Sequence, residues 1–300
     1  MRWPRITVIT PSFRQGHFIE ATIRSVVEQS YPDIEFIVID GGSEDGTIEV
    51  LRKYEHKITT WVSEKDSGQS AAINKGLKLA TGDIITWLSS DDVYLPGALQ
   101  KAATAFTNHP EAGLIHGSAE LFGDGRRSKI IGNQLTNLPY RYFAGIPFPQ
   151  PSSFFSRFAL ERGGLLDESL HFGMDYDLLL RIALQFPIVQ IDELLSGYRL
   201  HPFSKTGSSQ TGFAADWQKV FSRFVGFATY QLDSNLRNST MVGIVGAGGI
   251  GGTLFSAFQR FDYDFVCAIL LSIIGMIMAG EVLAQWVRGV FLERGRGTAE

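Results

Sequence analysis

The sequence has one cysteine, Cys267, which excludes an internal disulfide. A lone thiol in an uncharged stretch reads as a small buried hydrophobe and fits a reducing compartment. A basic excess is also missing. The chain carries 27 Lys and Arg against 31 Asp and Glu, a net charge of −4. That leaves no electrostatic footprint for nucleic acid, and no nucleic-acid partner is expected. No glycine-rich loop runs into a lysine, so there is no P-loop. After Arg5 the apolar run covers only Ile6 to Ile9 before Pro11 stops it, which is no signal peptide. The catalytic body is therefore expected in the cytoplasm, and the sequon at Asn238-Ser239-Thr240 is discounted.

Charge is missing locally as well. No charged residue occurs from Asn238 to Gln259, or from Phe265 to Gly280. The mean hydropathy of +0.04 thus averages two unlike parts. Residues 1–232 form a charged body, and residues 233–300 an apolar tail. Its 300 residues give the chain ample length for a core, and its composition excludes a disordered or collagen-like protein.

The first hundred residues alternate short apolar runs with helical patterns. Ile6 to Ile9, Ile34 to Ile39, Ile58 to Val62 and Ile84 to Leu88 read as buried strands. Between them Ile19, Ile23, Val26 and Val27 fall at helical spacing, as do Ile73, Leu77 and Ala80 after Ser67-Gly68. Ser43 is placed to cap a helix carrying Ile48 and Leu51. This βαβαβαβ rhythm predicts an α/β fold, an αβα sandwich on a mostly parallel sheet. Residues 1–112 form its first half and 113–232 a less regular second half. In that half a strand is expected at Gly113 to Ile115 and another at Ile188 to Ile191. A helix is expected to follow Gly173, and a loop to cover the site between Pro139 and Pro151.

Ligands of open α/β sheets bind at the carboxyl ends of the strands. Asp40 follows the second strand, Glu64 and Asp66 the third, and Asp91 and Asp92 the fourth. Acids in such loops often serve only as helix caps. An adjacent pair such as Asp91-Asp92 repels and calls for a cation or solvent. Hard carboxylate oxygens suit Mg²⁺ or Mn²⁺. Asp175 opens a helix, where it can be a general base or simply an acid favoured by the helix dipole. His201 can be a further metal ligand or a surface residue.

The stretches Val8-Ile9-Thr10-Pro11-Ser12-Phe13, Val38-Ile39-Asp40-Gly41-Gly42-Ser43-Glu44-Asp45-Gly46-Thr47, Ser63-Glu64-Lys65-Asp66-Ser67-Gly68-Gln69, Asn74-Lys75-Gly76 and Gly82-Asp83-Ile84-Ile85-Thr86-Trp87-Leu88-Ser89-Ser90-Asp91-Asp92 resemble the nucleotide-sugar-binding half of family 2 glycosyltransferases with the GT-A fold. Met174-Asp175-Tyr176-Asp177-Leu178-Leu179-Leu180-Arg181 and Tyr198-Arg199-Leu200-His201 resemble that family's acceptor-side signatures. The resemblance covers roughly residues 5–210. It implies an inverting, metal-dependent transfer from a nucleoside-diphosphate sugar to a glycan or lipid-linked hydroxyl acceptor in bacterial cell-surface polysaccharide assembly. Thr10 and Pro11 would line the base pocket with Asp66 beside it, and Asp40 would accept a hydrogen bond from the base. Asp91 would contact ribose or support the metal. Asp92 would hold the cation, His201 would approach it or the diphosphate, and Asp175 would be the catalytic base. Ser90 stands where the family's metal motif is often acidic. Met174 likewise replaces an acid, which leaves Asp175 as the base of that motif.

Two other readings compete. A nucleotidyltransferase on a related fold would need a basic residue against a triphosphate, and Arg14 is the one candidate. A non-catalytic membrane subunit would only bind the sugar nucleotide. In the tail, Gly246-Ala247-Gly248-Gly249-Ile250-Gly251 matches a dinucleotide fingerprint, but no second strand with a ribose-binding acid follows. Met241 to Phe258 and Phe265 to Trp286 instead have the length of bilayer spans. Arg288, Arg294 and Arg296 favour a cytoplasmic C-terminus. The body is thus expected at the cytoplasmic face of the inner membrane. Residues 240–292 also resemble the C-terminal end of a phosphonate-type ABC transporter permease, which leaves the tail as an anchor or a fusion.

Overall fold

The computed structural model describes residues 3–123, 129–132, 148–202, 204–205, 216, 218–223 and 282. The chain divides into two compact units, residues 1–217 and 218–300, with the break earlier than the expected boundary at 232. The tail expected to cross the membrane, with its permease-like segment, lies outside the described residues apart from Val282. Among the described residues no helix is long and apolar enough to cross a membrane.

The described part of the first unit is built on strands β1 (Ile6–Ser12), β2 (Ile34–Asp40), β3 (Thr60–Ser63), β4 (Ile84–Trp87), β5 (Val93–Tyr94), β6 (Leu114–Phe122), β7 (Lys129–Ile131), β8 (Ser153–Ser156) and β9 (Ile188–Arg199). Helices α1 (Ile19–Val27), α2 (Thr47–Tyr54), α3 (Gln69–Leu79), α4 (Ala98–Asn108), α5 (Arg157–Gly163) and α6 (Met174–Ala183) join them. The described strands form one sheet in the order β3-β2-β1-β4-β8-β6-β9-β5, with β7 on β6.

The four strands expected from the apolar runs are present and mutually parallel. β1 and β2 are buried nearly throughout, which is why they read as unbroken apolar runs rather than alternating ones. Side chains on one face of β1, Ile6 and Val8, pack with Ile19, Ile23 and Val26 of α1, Leu51 of α2 and Ala98, Leu99 and Ala102 of α4. On the other face α3 lies directly on β1. A Cβ at Gly76 would stand 2.4 Å from Ile9 Cγ2, so only glycine permits that approach.

Beyond β4 antiparallel pairs join the sheet. β8 is antiparallel to both β4 and β6, β9 is parallel to β6, and β5 is antiparallel to β9. The strand expected at Ile188 to Ile191 continues to Arg199. That extension carries the Tyr198–His201 stretch to the loop after β4, because Val93 pairs with Gly197.

Candidate active site

Two cavities open at the carboxyl ends of the parallel strands. The larger, about 830 Å³, is lined by Pro11 to Gln15 after β1, Gly41, Gly42 and Glu44 after β2, and Lys65 to Gln69 after β3. The smaller, about 400 Å³, is walled by Trp87, Phe148, Phe172, Met174, Asp175 and Tyr198, among others. Gln69, Ser89, Asp91, Ser204 and Lys205 line both, so the cavities are two lobes of one cleft that meet along this seam.

Asp40 lines neither lobe and is fully buried. Its Oδ2 accepts from the backbone N–H groups of Gly42 (3.1 Å) and Ser43 (2.8 Å) and from Ser63 Oγ (2.7 Å), and its Oδ1 accepts from Ser43 Oγ (2.6 Å). Four donors occupy the carboxylate that was expected to meet the base, and what it organises is the turn beneath that pocket. Ser43 Oγ in turn accepts the backbone N–H of Arg14 at 2.7 Å, at the rim of the larger lobe. Arg14 holds φ 54°, a left-handed backbone that a side chain other than glycine's adopts only when its surroundings fix it. Asp66 is the exposed acid of the larger lobe. It receives the Gly68 N–H at 2.9 Å, and its carboxylate lies 3.2 Å from where a Cβ on Gly41 would stand. Pro11 lines the larger lobe, whereas Thr10 is fully buried beneath it with Oγ1 unpartnered.

The adjacent acids separate sharply. Asp92 is 1% exposed, and its Oδ1 accepts the Arg199 N–H at 2.8 Å. Burial, with the Asp91 charge beside it, pushes its carboxyl well above the ordinary range. Thr22 Oγ1 fastens the same loop to α1 through the carbonyls of Ser90 (2.9 Å) and Asp92 (2.7 Å). This anchoring turns Asp91 into the seam, while Asp92 lines only the smaller lobe. The expectation that Asp92 holds the cation thus meets a carboxyl already committed to the β9 backbone. His201 lines neither lobe. It is 9% exposed, lies against Phe18 with ring centroids 4.5 Å apart, and sets Nε2 3.0 Å from Asp91 Oδ2.

Asp175 opens α6 in the smaller lobe. Its Oδ1 accepts the neighbouring Tyr176 N–H at 2.8 Å, and desolvation pushes the carboxyl up to about 6. An acid so placed changes charge near neutrality, as a general base must. α6 enters the site because Asp216 Oδ2 accepts the backbone N–H groups of Phe172 (2.6 Å) and Gly173 (3.2 Å) just before it.

Among the described residues no group of three or more His, Cys, Asp or Glu side chains is arranged to hold a metal ion unaided. Asp91 is the hard carboxylate at the seam that a Mg²⁺ or Mn²⁺ would meet there. Lys205 and Gln69 are site residues to which the sequence reading assigned no role. Lys205 follows the Tyr198–His201 stretch in a segment without periodicity, so nothing local marks it.

The profile of Glycosyl transferase family 2 matches residues 7–164, more than half of the chain. A Bacillus subtilis glycosyltransferase named for teichuronic acid biosynthesis, TuaG, is 34% identical over 150 residues, covering 43% of this chain and 60% of that protein. An uncharacterized glycosyltransferase of Rickettsia typhi is 26% identical over 250 residues, covering 79% and 76%. Residues 1–349 of Staphylococcus aureus TarS, solved with UDP-GlcNAc, share the fold at a TM-score of 0.60 and 18% identity, over 74% of this chain and 66% of that one. A mannosyltransferase of Pyrobaculum calidifontis, solved with GDP-Man and Mn²⁺, superposes at a TM-score of 0.52 and 17% identity, over 95% and 88%. The fold, the strand-end cleft and the profile match converge, and the chain belongs to glycosyl transferase family 2.

Proposed function

We propose that the chain moves a sugar from a nucleoside-diphosphate sugar to a hydroxyl acceptor with inversion at the anomeric carbon. The observation that carries this reading is the seam itself. It joins a large nucleotide-sized lobe to a small aromatic one, with Asp91 at the junction and a half-buried, under-bonded Asp175 beyond it. The donor would occupy the larger lobe with its base toward Pro11 and Asp66, and the acceptor the smaller. Asp175 takes the acceptor's proton as that oxygen bonds to the anomeric carbon. The bond from that carbon to the diphosphate oxygen breaks on the opposite face, and its electron pair leaves with the diphosphate. A divalent cation held by Asp91, with His201 orienting that carboxylate, would stabilise the negative charge of the leaving diphosphate.

The UDP-GlcNAc complex of TarS favours a uridine nucleotide as the first donor to try, and the likeness to TuaG favours an acceptor in cell-wall polysaccharide synthesis. We place the body at the cytoplasmic membrane face, with residues 233–300 as its anchor. A screen of UDP-, GDP- and dTDP-sugars with Mn²⁺, read by thermal shift and by release of nucleoside diphosphate, tests the whole reading. One donor class should stabilise the protein above the others and be turned over in a metal-dependent way. Release of pyrophosphate would instead support a nucleotidyltransferase, and stabilisation without turnover a binding subunit.

A further inference from the structure

Among the described residues, Lys205 is the only lysine or arginine that lines the smaller lobe, and it lines the larger lobe too. Its Nζ donates to Gln69 Oε1 at 2.9 Å, and Gln69 Nε2 donates to Ser89 Oγ at 3.3 Å, so the ammonium is moored across the seam from α3 to the loop after β4. It also lies 5.5 Å from the centre of the Phe172 ring. The carboxylates acting on it are Asp175 of α6 and Asp216, while Asp91 with its partner His201 shares its stretch of seam. Arg14 and Lys65, the other cations of the larger lobe, sit on exposed ground away from the junction.

A sugar nucleotide would bring a diphosphate into a seam that already holds Asp91, with Asp175 beyond it in the smaller lobe. Like charges so close repel, and a half-buried site screens them less than bulk water does. A fixed cation at that point would offset the repulsion, and its effect would grow as the sugar–phosphate bond breaks and charge collects on the departing oxygen.

We propose that Lys205 is the cleft's resident cation for the donor diphosphate: on donor binding its ammonium exchanges Gln69 for a phosphate oxygen and holds the leaving group as it departs. The step takes no proton from Lys205: the acceptor's proton goes to Asp175 and the broken bond's electron pair to the diphosphate. The proposal rests on the glycosyl-transfer reading and adds a second positive charge, supplied by the chain itself.

The test is calorimetric binding of UDP and of uridine to the full chain, in EDTA and again with Mn²⁺, for wild type, K205A, K205Q and K205R; if GDP or dTDP binds wild type better, that diphosphate and its nucleoside are used. K205Q keeps most of the side chain without its charge, so it guards against a folding defect in K205A. Loss of UDP affinity by roughly ten- to a hundred-fold in K205A and K205Q, unchanged uridine affinity and substantial recovery in K205R would support the assignment. Equal losses for UDP and uridine would make Lys205 merely structural and overturn it, as would UDP affinity within about two-fold of wild type in both uncharged variants. A wild-type protein that binds none of the three diphosphates would overturn the donor reading along with it.

Discussion

The two lobes treat their carboxylates in opposite ways. Behind the larger lobe Asp40 and Asp45 of the βα loops are saturated with hydrogen bonds, whereas the exposed Asp66 on its wall receives the Gly68 N–H. Asp40 has four donors, and Asp45 holds Thr47 Oγ1 at 2.6 Å and the Gly16 N–H at 3.1 Å. At the opposite end of the parallel strands, Glu35 holds Thr7 and Thr81. Burial alone would raise the pKa of Asp45 and Glu35, yet their hydrogen bonds keep both below the ordinary carboxylate value. In the smaller lobe the half-buried Asp175 accepts the Tyr176 N–H and the buried Asp92 the Arg199 N–H, and desolvation pushes both upward. A buried acid that is fully bonded builds a loop; one left under-bonded is ready to take a proton. By that criterion the chemistry belongs to the half of the sheet that departs from parallel order.

The comparison can be broken first at the seam. Asp91→Asn should remove cation-dependent turnover by about 10²- to 10³-fold, the scale of one lost charge-stabilising contact in a transition state. Asp92→Asn keeps an acceptor for the Arg199 N–H, so it should retain turnover within about ten-fold. Kinetics with Mn²⁺ titrated against each variant check this, and a larger loss in Asp92→Asn would return the cation to Asp92. A smaller effect is expected in the saturated half. Ser43→Ala removes both a donor to Asp40 and the acceptor of the Arg14 N–H, and should cost on the order of 1–3 kcal/mol of stability. Urea unfolding measures it, and a wild-type midpoint would show that the turn stands without that relay.

Much of this was legible in the sequence. The apolar runs located β1, β2 and β4 because those strands are buried on both faces, while β3 is a half-exposed edge strand, and the acids that follow the strands do cluster at one edge. The helix opening at Asp175 was legible for a similar reason: Leu178, Leu179 and Ile182 repeat at helical spacing and are buried. What could not be read was how the two adjacent acids divide, Asp91 lining both lobes and Asp92 only the smaller. Asp91 and Asp92 are chemically alike, and the Arg199 N–H that claims Asp92 comes from a residue 107 positions away. The length of β9 was hidden as well, since Gln190, Asp192 and Glu193 break its apolar run while β6 still pairs beside it. Asp40 was placed at the right turn, but sequence alone does not show that Ser43 and Ser63 donate to its carboxylate.

The most direct test of the account is the pH dependence of kcat/KM for donor turnover in the wild type and in Asp175→Asn. The carboxylate is the active form of the base, and its pKa lies near 6. Wild-type activity should therefore fall as pH drops through about 6 and level off above it. Asp175→Asn should lose about 10²- to 10⁴-fold in rate and show no such limb in what remains. An Asp175→Asn enzyme with wild-type turnover and an unchanged pH profile would contradict the assignment of Asp175 as the base.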